Sequence, residues 1–235
     1  MRNTIVVTGG SRGIGKAILE KFAQNDFDLI TCSRKEEDLV ALKKELKGKF
    51  PLVNVETLKS DLSQEKDREE FVRFVNGLTD KVDVLVNNTG VFMPGQIHKE
   101  EPGILEKTIE TNLYSAYHIT RGLLDSMMRR KKGHIFNICS TASIMPYVNG
   151  GSYCISKYAM YGMTKVLREE MKPLNIKVTA VLPGATLTSS WEGVDLPAER
   201  FIKPEDVAKA VFDIFNLSET TDVEEILIRP QLGDI

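Results

Sequence analysis

Seven short runs rich in β-branched and aliphatic residues punctuate the chain: TIVVT at 4–8, DLITCS at 28–33, VNVETLK at 53–59, VDVLVN at 82–87, HIFNIC at 134–139, IKVTAVL at 176–182 and EEILI at 224–228. Helical patterns separate them, at 15–25, 35–46, 64–78, 101–131, 153–172 and 204–215, the last with Pro204 in its first turn. This alternation leaves few options. Parallel strands need long crossovers, and helical crossovers cover both faces of the sheet. The expected fold class is therefore α/β, with three layers and a seven-stranded parallel sheet between two layers of helices. No low-complexity tract or Pro/Gly/Ser linker divides the 235 residues, so one domain over 1–235 is expected.

Composition narrows the function classes. With 31 Lys plus Arg against 33 Asp plus Glu, the formal charge is −2, which argues against a nucleic-acid partner. The longest stretch without Asp, Glu, Lys or Arg, 133–156, contains His134, Asn137, Pro146 and several glycines, and no membrane partner is expected. The amino-terminal MRNTIVVTGG has too short an apolar run for a secretory signal. Cys32, Cys139 and Cys154 form no CxxC pair, and His98, His118 and His134 form no HxH or HExxH arrangement. The expectations are a cytoplasmic location and no metal. The basic run 129–132 at a predicted helix end is read as charge complementing the helix dipole rather than as an anion patch.

The first strand runs into Thr8-Gly9-Gly10-Ser11-Arg12-Gly13-Ile14-Gly15 and then into a helix. Glycines let the backbone turn tightly and approach a pyrophosphate, which would lie against the free N–H groups of the helix start. Gly9, Ser11, Arg12, Gly13, Ile14 and Gly15 are thus candidate dinucleotide contacts. An acid after the second strand would bind a ribose 2′-hydroxyl and repel a 2′-phosphate. Here the sequence is Cys32-Ser33-Arg34-Lys35, so Ser33, Arg34 and Arg12 favour the phosphate, and NADP(H) is the expected cofactor.

Tyr153 and Lys157 stand four apart, on one face of a predicted helix. A neighbouring ammonium stabilises a phenolate and would lower the tyrosine pKa toward the range useful for proton transfer. Tyr161 and Lys165 repeat the spacing. Position selects the first pair: Tyr153 opens its helix soon after a strand, near the carboxyl edge where α/β sites form, and Ser140 ends that strand. Tyr161 is read as a packing residue.

The motifs TGxxxGIG and YxxxK, over essentially the whole chain, resemble the short-chain dehydrogenase/reductase family and its doubly wound Rossmann fold. The resemblance implies a catalytic tetrad of Asn112, Ser140, Tyr153 and Lys157. In it Tyr153 protonates the nascent alkoxide and Ser140 orients the carbonyl. Lys157 holds the nicotinamide ribose and lowers the tyrosine pKa, and Asn112 holds a water. It also implies cofactor contacts at Asp61 and Leu62 near adenine, at Asn87 and Gly90 in Asn87-Asn88-Thr89-Gly90, and at Pro183, Gly184, Thr186 and Thr188. Thr89 stands where the family pattern has alanine. The implied activity is reduction of a small-molecule ketone by NADPH. The implied assembly is a homodimer, with a tetramer left open because the usual VDGG-like ending is absent.

Substrate shape falls to three segments, 91–101, 141–152 and above all 185–203. The last holds the single tryptophan, Trp191, which could stack on a flat substrate or simply plug the loop. PGATLTSSW and the tail from Val223 to Ile235 resemble bacterial sepiapterin reductase-like members, which implies a pterin side-chain ketone such as sepiapterin. Asp234 would then pair with ring nitrogens or else remain solvated. A 3-oxoacyl-thioester (acyl-carrier-protein) reductase is the alternative within enzymes, and an NADPH-binding regulatory sensor is the alternative outside them.

Overall fold

The computed structural model describes residues 2–191 and 193–235. Seven strands, β1 (Thr4–Thr8), β2 (Asp28–Ser33), β3 (Val55–Lys59), β4 (Val84–Asn87), β5 (Gly133–Ile138), β6 (Ile176–Pro183) and β7 (Glu225–Ile228), form one parallel sheet in the order β3-β2-β1-β4-β5-β6-β7. The chain therefore builds outward from β1 to β3, returns to set β4 beside β1, and builds outward the other way. Ile5 pairs with Leu29 on one side and with Val84 on the other. The strand order reverses between β1 and β4, and a crevice opens at their carboxyl ends.

The helices are α1 (Gly13–Ala23), α2 (Glu36–Lys49), α3 (Glu65–Leu78), α4 (Ile104–Ile109), α5 (Ser115–Arg130), α6 (Gly151–Met171) and α7 (Pro204–Phe215). Strand periodicity divides the core. Ile5 and Val7 face a cluster with Ile18, Phe22, Leu42 and Val211 from α1, α2 and α7. Val6 and Leu85 face Phe71, Val75, Ile119 and Leu123 from α3 and α5. Phe22 binds its layer through edge contacts with Phe27 and Phe212 at 5.0 and 5.1 Å.

One predicted element differs. The helix expected over 101–131 starts only at Ile104, after Gly103 at φ +91°, and is interrupted by a π-helical turn at Glu110–Tyr114 before α5 resumes. The residues Glu-Thr-Asn-Leu-Tyr carry no helix breaker. The interruption coincides with tertiary bonds made by Asn112, described below. Among the described residues, no helix is long and apolar enough to cross a membrane, and no group of three or more His, Cys, Asp or Glu is placed to hold a metal ion.

Candidate active site

A cavity of about 640 Å³ opens over the carboxyl ends of the strands, walled by the loops that follow them. Its floor is the glycine turn. Gly9 and Gly13 have φ of +67° and +56°, where a Cβ would be strained. Helix α1 begins with no side-chain cap and no acid in its first turn, so its leading N–H groups are left for an anion. The turn is tied to β4 by the amide of Asn88, which donates to Thr8 O and Gly9 O, both at 3.0 Å. The backbone N–H groups of Asn88 and Thr89 in turn donate to Thr8 Oγ1, each at 3.0 Å. Thr89 fits beside Gly9, where a Cβ would lie 3.1 Å from its hydroxyl oxygen.

Two of the expected cofactor residues lie outside the cavity wall. Gly15 is not a cavity wall: it packs beneath the turn, where a Cβ would stand 2.5 Å from Asn88 Nδ2 and 2.7 Å from Gly9 O. Asn87 is also outside the cavity. Its amide is buried, donating to Thr120 Oγ1 and Asn137 Oδ1, both at 2.8 Å, and so joins α5 to the middle of the sheet. Strand alternation sends its side chain into the core and turns Asn88 toward the site. Asn88, which the sequence reading passed over, is the wall residue.

At one end of the cavity Ser11 Oγ donates to Ser33 Oγ at 3.0 Å, and Arg12 and Arg34 line the wall beside them. Asp61 and Leu62 lie on the same wall. One Asp61 carboxylate oxygen accepts from Ser63 N–H at 3.1 Å and from the Ser63 hydroxyl at 2.8 Å. Gly90, Pro183, Gly184, Thr186 and Thr188 also line the cavity, with Ile14. Thr186 Oγ1 donates to Gly184 O at 3.0 Å.

Ser140, Tyr153 and Lys157 meet in the middle, whereas Tyr161 and Lys165 lie outside. The Tyr161 hydroxyl bonds to Glu225, and Lys165 Nζ stands 4.2 Å from the Tyr161 ring centroid. Ser140, two residues after β5, caps a short 3₁₀ turn at Thr141–Ser143, its Oγ accepting from Ala142 N–H at 3.1 Å. Tyr153 lies in the first turn of α6 and Lys157 one turn further. In the protein without bound cofactor, the Tyr153 phenol is set by its surroundings. Burial dominates and pushes Tyr153 up to about 12, while the Ser140 hydroxyl pulls the other way. Lys157, its own pKa pushed down by burial, donates to Ile138 O at 2.8 Å, with Nζ 5.9 Å from the Tyr153 ring centroid.

Asn112 lies behind the cavity wall. Its side chain is 0% exposed and is not a cavity wall. Oδ1 accepts from Val91 N–H at 2.7 Å, and Nδ2 donates to Val91 O at 3.0 Å and to Ser156 Oγ at 2.9 Å. Both amide protons are thus taken, and the side chain fastens the loop after β4 to α6. The π-helical turn provides the offset this needs, as such turns often do at functional sites.

Part of the cavity wall is aromatic. Phe92 meets the Tyr153 ring edge-on at 4.9 Å and lies nearly parallel to Trp191, with centroids 6.3 Å apart and planes 28° from each other. Phe92 was missed in the sequence, since a lone phenylalanine after a strand carries no motif. Asp234 lines the cavity, but its carboxylate stands 3.2 Å from Arg229 Nη1, so it is ion-paired rather than simply solvated.

The sequence model of the short chain dehydrogenases matches residues 3–197. The chain is similar to the sepiapterin reductase of Chlorobaculum tepidum, with 32% identity over 243 residues covering 100% of this chain and 99% of that one. Among solved structures it resembles an alcohol dehydrogenase from the archaeon Thermococcus sibiricus complexed with 5-hydroxy-NADP, with a TM-score of 0.91 and 27% identity over 98% of this chain and 97% of that one. It also resembles a metagenomic short-chain oxidoreductase in complex with NADP, with a TM-score of 0.85 and 30% identity over 98% of both chains. A family match over most of the length, on a fold and cavity of this form, makes the chain a member of the short chain dehydrogenase family.

Proposed function

We propose that the protein is an NADPH-dependent carbonyl reductase. The observation that carries this reading is the meeting of Ser140, Tyr153 and Lys157 in one cavity with the glycine turn. The residues present fit the cofactor. Positive-φ glycines and the uncapped start of α1 suit the pyrophosphate, and Ser11, Arg12, Ser33 and Arg34 suit a 2′-phosphate with no carboxylate at the end of β2. NADP or a derivative in related structures supports the same choice.

Bound NADPH supplies the hydride that reduces the carbonyl carbon. Tyr153 gives its phenolic proton to the carbonyl oxygen. A pKa raised by burial keeps that proton in place at neutral pH. Ser140 Oγ orients the same oxygen. Lys157, in reach of the cavity from Ile138 O, would hold the ribose hydroxyls, and Asn112 keeps the loop after β4 against α6. In this reading the 235 residues form one dinucleotide-binding unit, with substrate choice left to short loops and the segment 185–203.

The near-parallel Phe92 and Trp191 rings support a flat, conjugated substrate bearing a side-chain ketone, sepiapterin being the candidate. The thioester alternative has less support. An acyl-carrier protein would want a basic rim, but Arg130 pairs with Asp83 and Lys132 with Glu219. Exposed Tyr114, Tyr117, Ile155 and Tyr158 on the neighbouring α5 and α6 stretch support a homodimer, and free buried cysteines suit a cytoplasmic location.

The test is a panel of sepiapterin, butane-2,3-dione and an acetoacetyl thioester, read as NADPH oxidation by wild-type protein and Tyr153→Phe. We expect sepiapterin to turn over fastest. Tyr153→Phe should keep NADPH binding and lose about 10²- to 10⁴-fold in kcat. Near wild-type rates in that variant would overturn the acid assignment, and no turnover of any carbonyl would favour the sensor alternative.

A further inference from the structure

Helix α6 starts at Gly151 after Gly150, and neither residue has a side chain to satisfy the unpaired N–H groups of the first turn. A residue distant in sequence does so. Ser152 N–H donates to Glu100 Oε1 at 2.8 Å, and the Ser152 hydroxyl donates to Glu100 Oε2. The packing around this carboxylate leaves no room for side chains. A Cβ on Gly151, whose φ is +33°, would run into Glu100 Oε1 and stand 2.6 Å from Gly95 O; one on Gly95 would stand 2.9 Å from Glu100 Cγ. Gly95 N–H donates to Asn149 O at 2.9 Å, closing the contact from the other side.

We propose that Glu100 is a positioning residue for the acid: its carboxylate fixes the first turn of α6, and with it the phenol of Tyr153, against the loop that follows β4. Tyr153 is the residue after Ser152, and its ring already packs on Phe92 from that loop. A carboxylate at this end of a 21-residue helix is also favoured by the helix dipole. Removing it leaves the Ser152 N–H and hydroxyl without their acceptor and frees the turn that carries Tyr153. Lys157 keeps its own bond to Ile138 O, and the glycine turn is untouched. The effect therefore falls on proton delivery and not on NADPH binding.

The proposal rests on Tyr153 as the acid, and Tyr153→Phe is measured alongside. Glu100→Ala should lower kcat about tenfold or more, in keeping with the cost of small displacements at a reacting centre, with the NADPH Kd unchanged. Glu100→Gln should restore most of the rate, since its amide oxygen can accept from Ser152 N–H and its amide nitrogen can donate to Ser152 Oγ. Hydrogen exchange on the protein without cofactor should speed up at residues 151–155 in Glu100→Ala and not in Glu100→Gln. If Glu100→Ala does not fold, Ser152→Ala removes one of the two bonds and should give a smaller loss of the same kind. Wild-type kcat in Glu100→Ala or, where that does not fold, in Ser152→Ala overturns the proposal, as does a loss shared with NADPH affinity and not rescued by Gln. Rapid turnover by Tyr153→Phe would instead remove the acid assignment and leave the clamp as a structural cap.

Discussion

His134 shows how much one buried ring can set. It is 3% exposed and stacks on Phe136 at 3.9 Å, and its Nε2 is 2.8 Å from Thr179 Oγ1. That hydroxyl gives its proton to Val223 O, so Nε2 carries the imidazole proton. Burial first, and then Lys177, push the pKa down to about 3. The folded protein thus keeps this ring neutral while the unfolded chain protonates it below about pH 6.5. Stability from this group is complete above that pH and falls by up to about 1.4 kcal/mol per unit as the pH drops toward 3. Urea unfolding of wild type and His134→Gln at pH 7.5 and 5.5 checks this. The variant should show the smaller loss of stability, and equal losses would show that the ring does not contribute. In the sequence His134 was one of three histidines without a motif, because burial is a tertiary fact. Tyr153 was legible because its place after a strand adds to its spacing from Lys157. The direction of its pKa shift was not, because the burial that sets it is a tertiary fact.

At the level of elements, the strands and most helices were readable because β-branched runs and helical periodicity are local signals. The π-helical turn was not, because ETNLY is an acceptable helix and the bonds from Asn112 to Val91 and Ser156 that accompany the turn are tertiary. The turn is held from the other side by Arg68, whose Nη1 donates to Leu62 O and Ser63 O at 3.1 Å and to Glu110 Oε2 at 2.8 Å. The loop after β3, the interrupted helix and α6 are therefore joined through one element. Asn112→Ala should strand the Val91 N–H and C=O and cost about 1–3 kcal/mol. At about 2–4 °C per kcal/mol for a chain of this size, calorimetry should show a clear drop in Tm. An unchanged Tm would mean that Val91 finds other partners.

For the whole molecule, the parallel sheet and its two helical layers followed from alternation, whereas the strand order did not, since neighbour choice depends on how the faces fit. The cavity draws its walls from Gly9 through Ile235, so residues far apart in the chain meet only when the sheet is assembled. Dispersed walls explain why Asn88 and Phe92 escaped notice while the motif residues did not. They also tie cofactor occupancy to global stability. NADPH at about 100 times its Kd should stabilise the fold by about 2.7 kcal/mol. In thermal unfolding NADH at the same concentration should do less, and Arg12→Ala with Arg34→Ala should remove the difference; equal shifts in wild type would contradict the role given to the two arginines. The segment 185–203 has a further consequence. Thr186 and Ile202 bridge in parallel, Leu187 N–H donates to Ile202 O at 2.9 Å, and Ile202 N–H donates to Ala185 O at the same distance. A loop laced shut at its neck behaves as a cassette. Between the anchors Thr188 sits against Gly13 and Trp191 against Phe92, so a change inside this cassette is felt at the cavity wall while its neck stays closed.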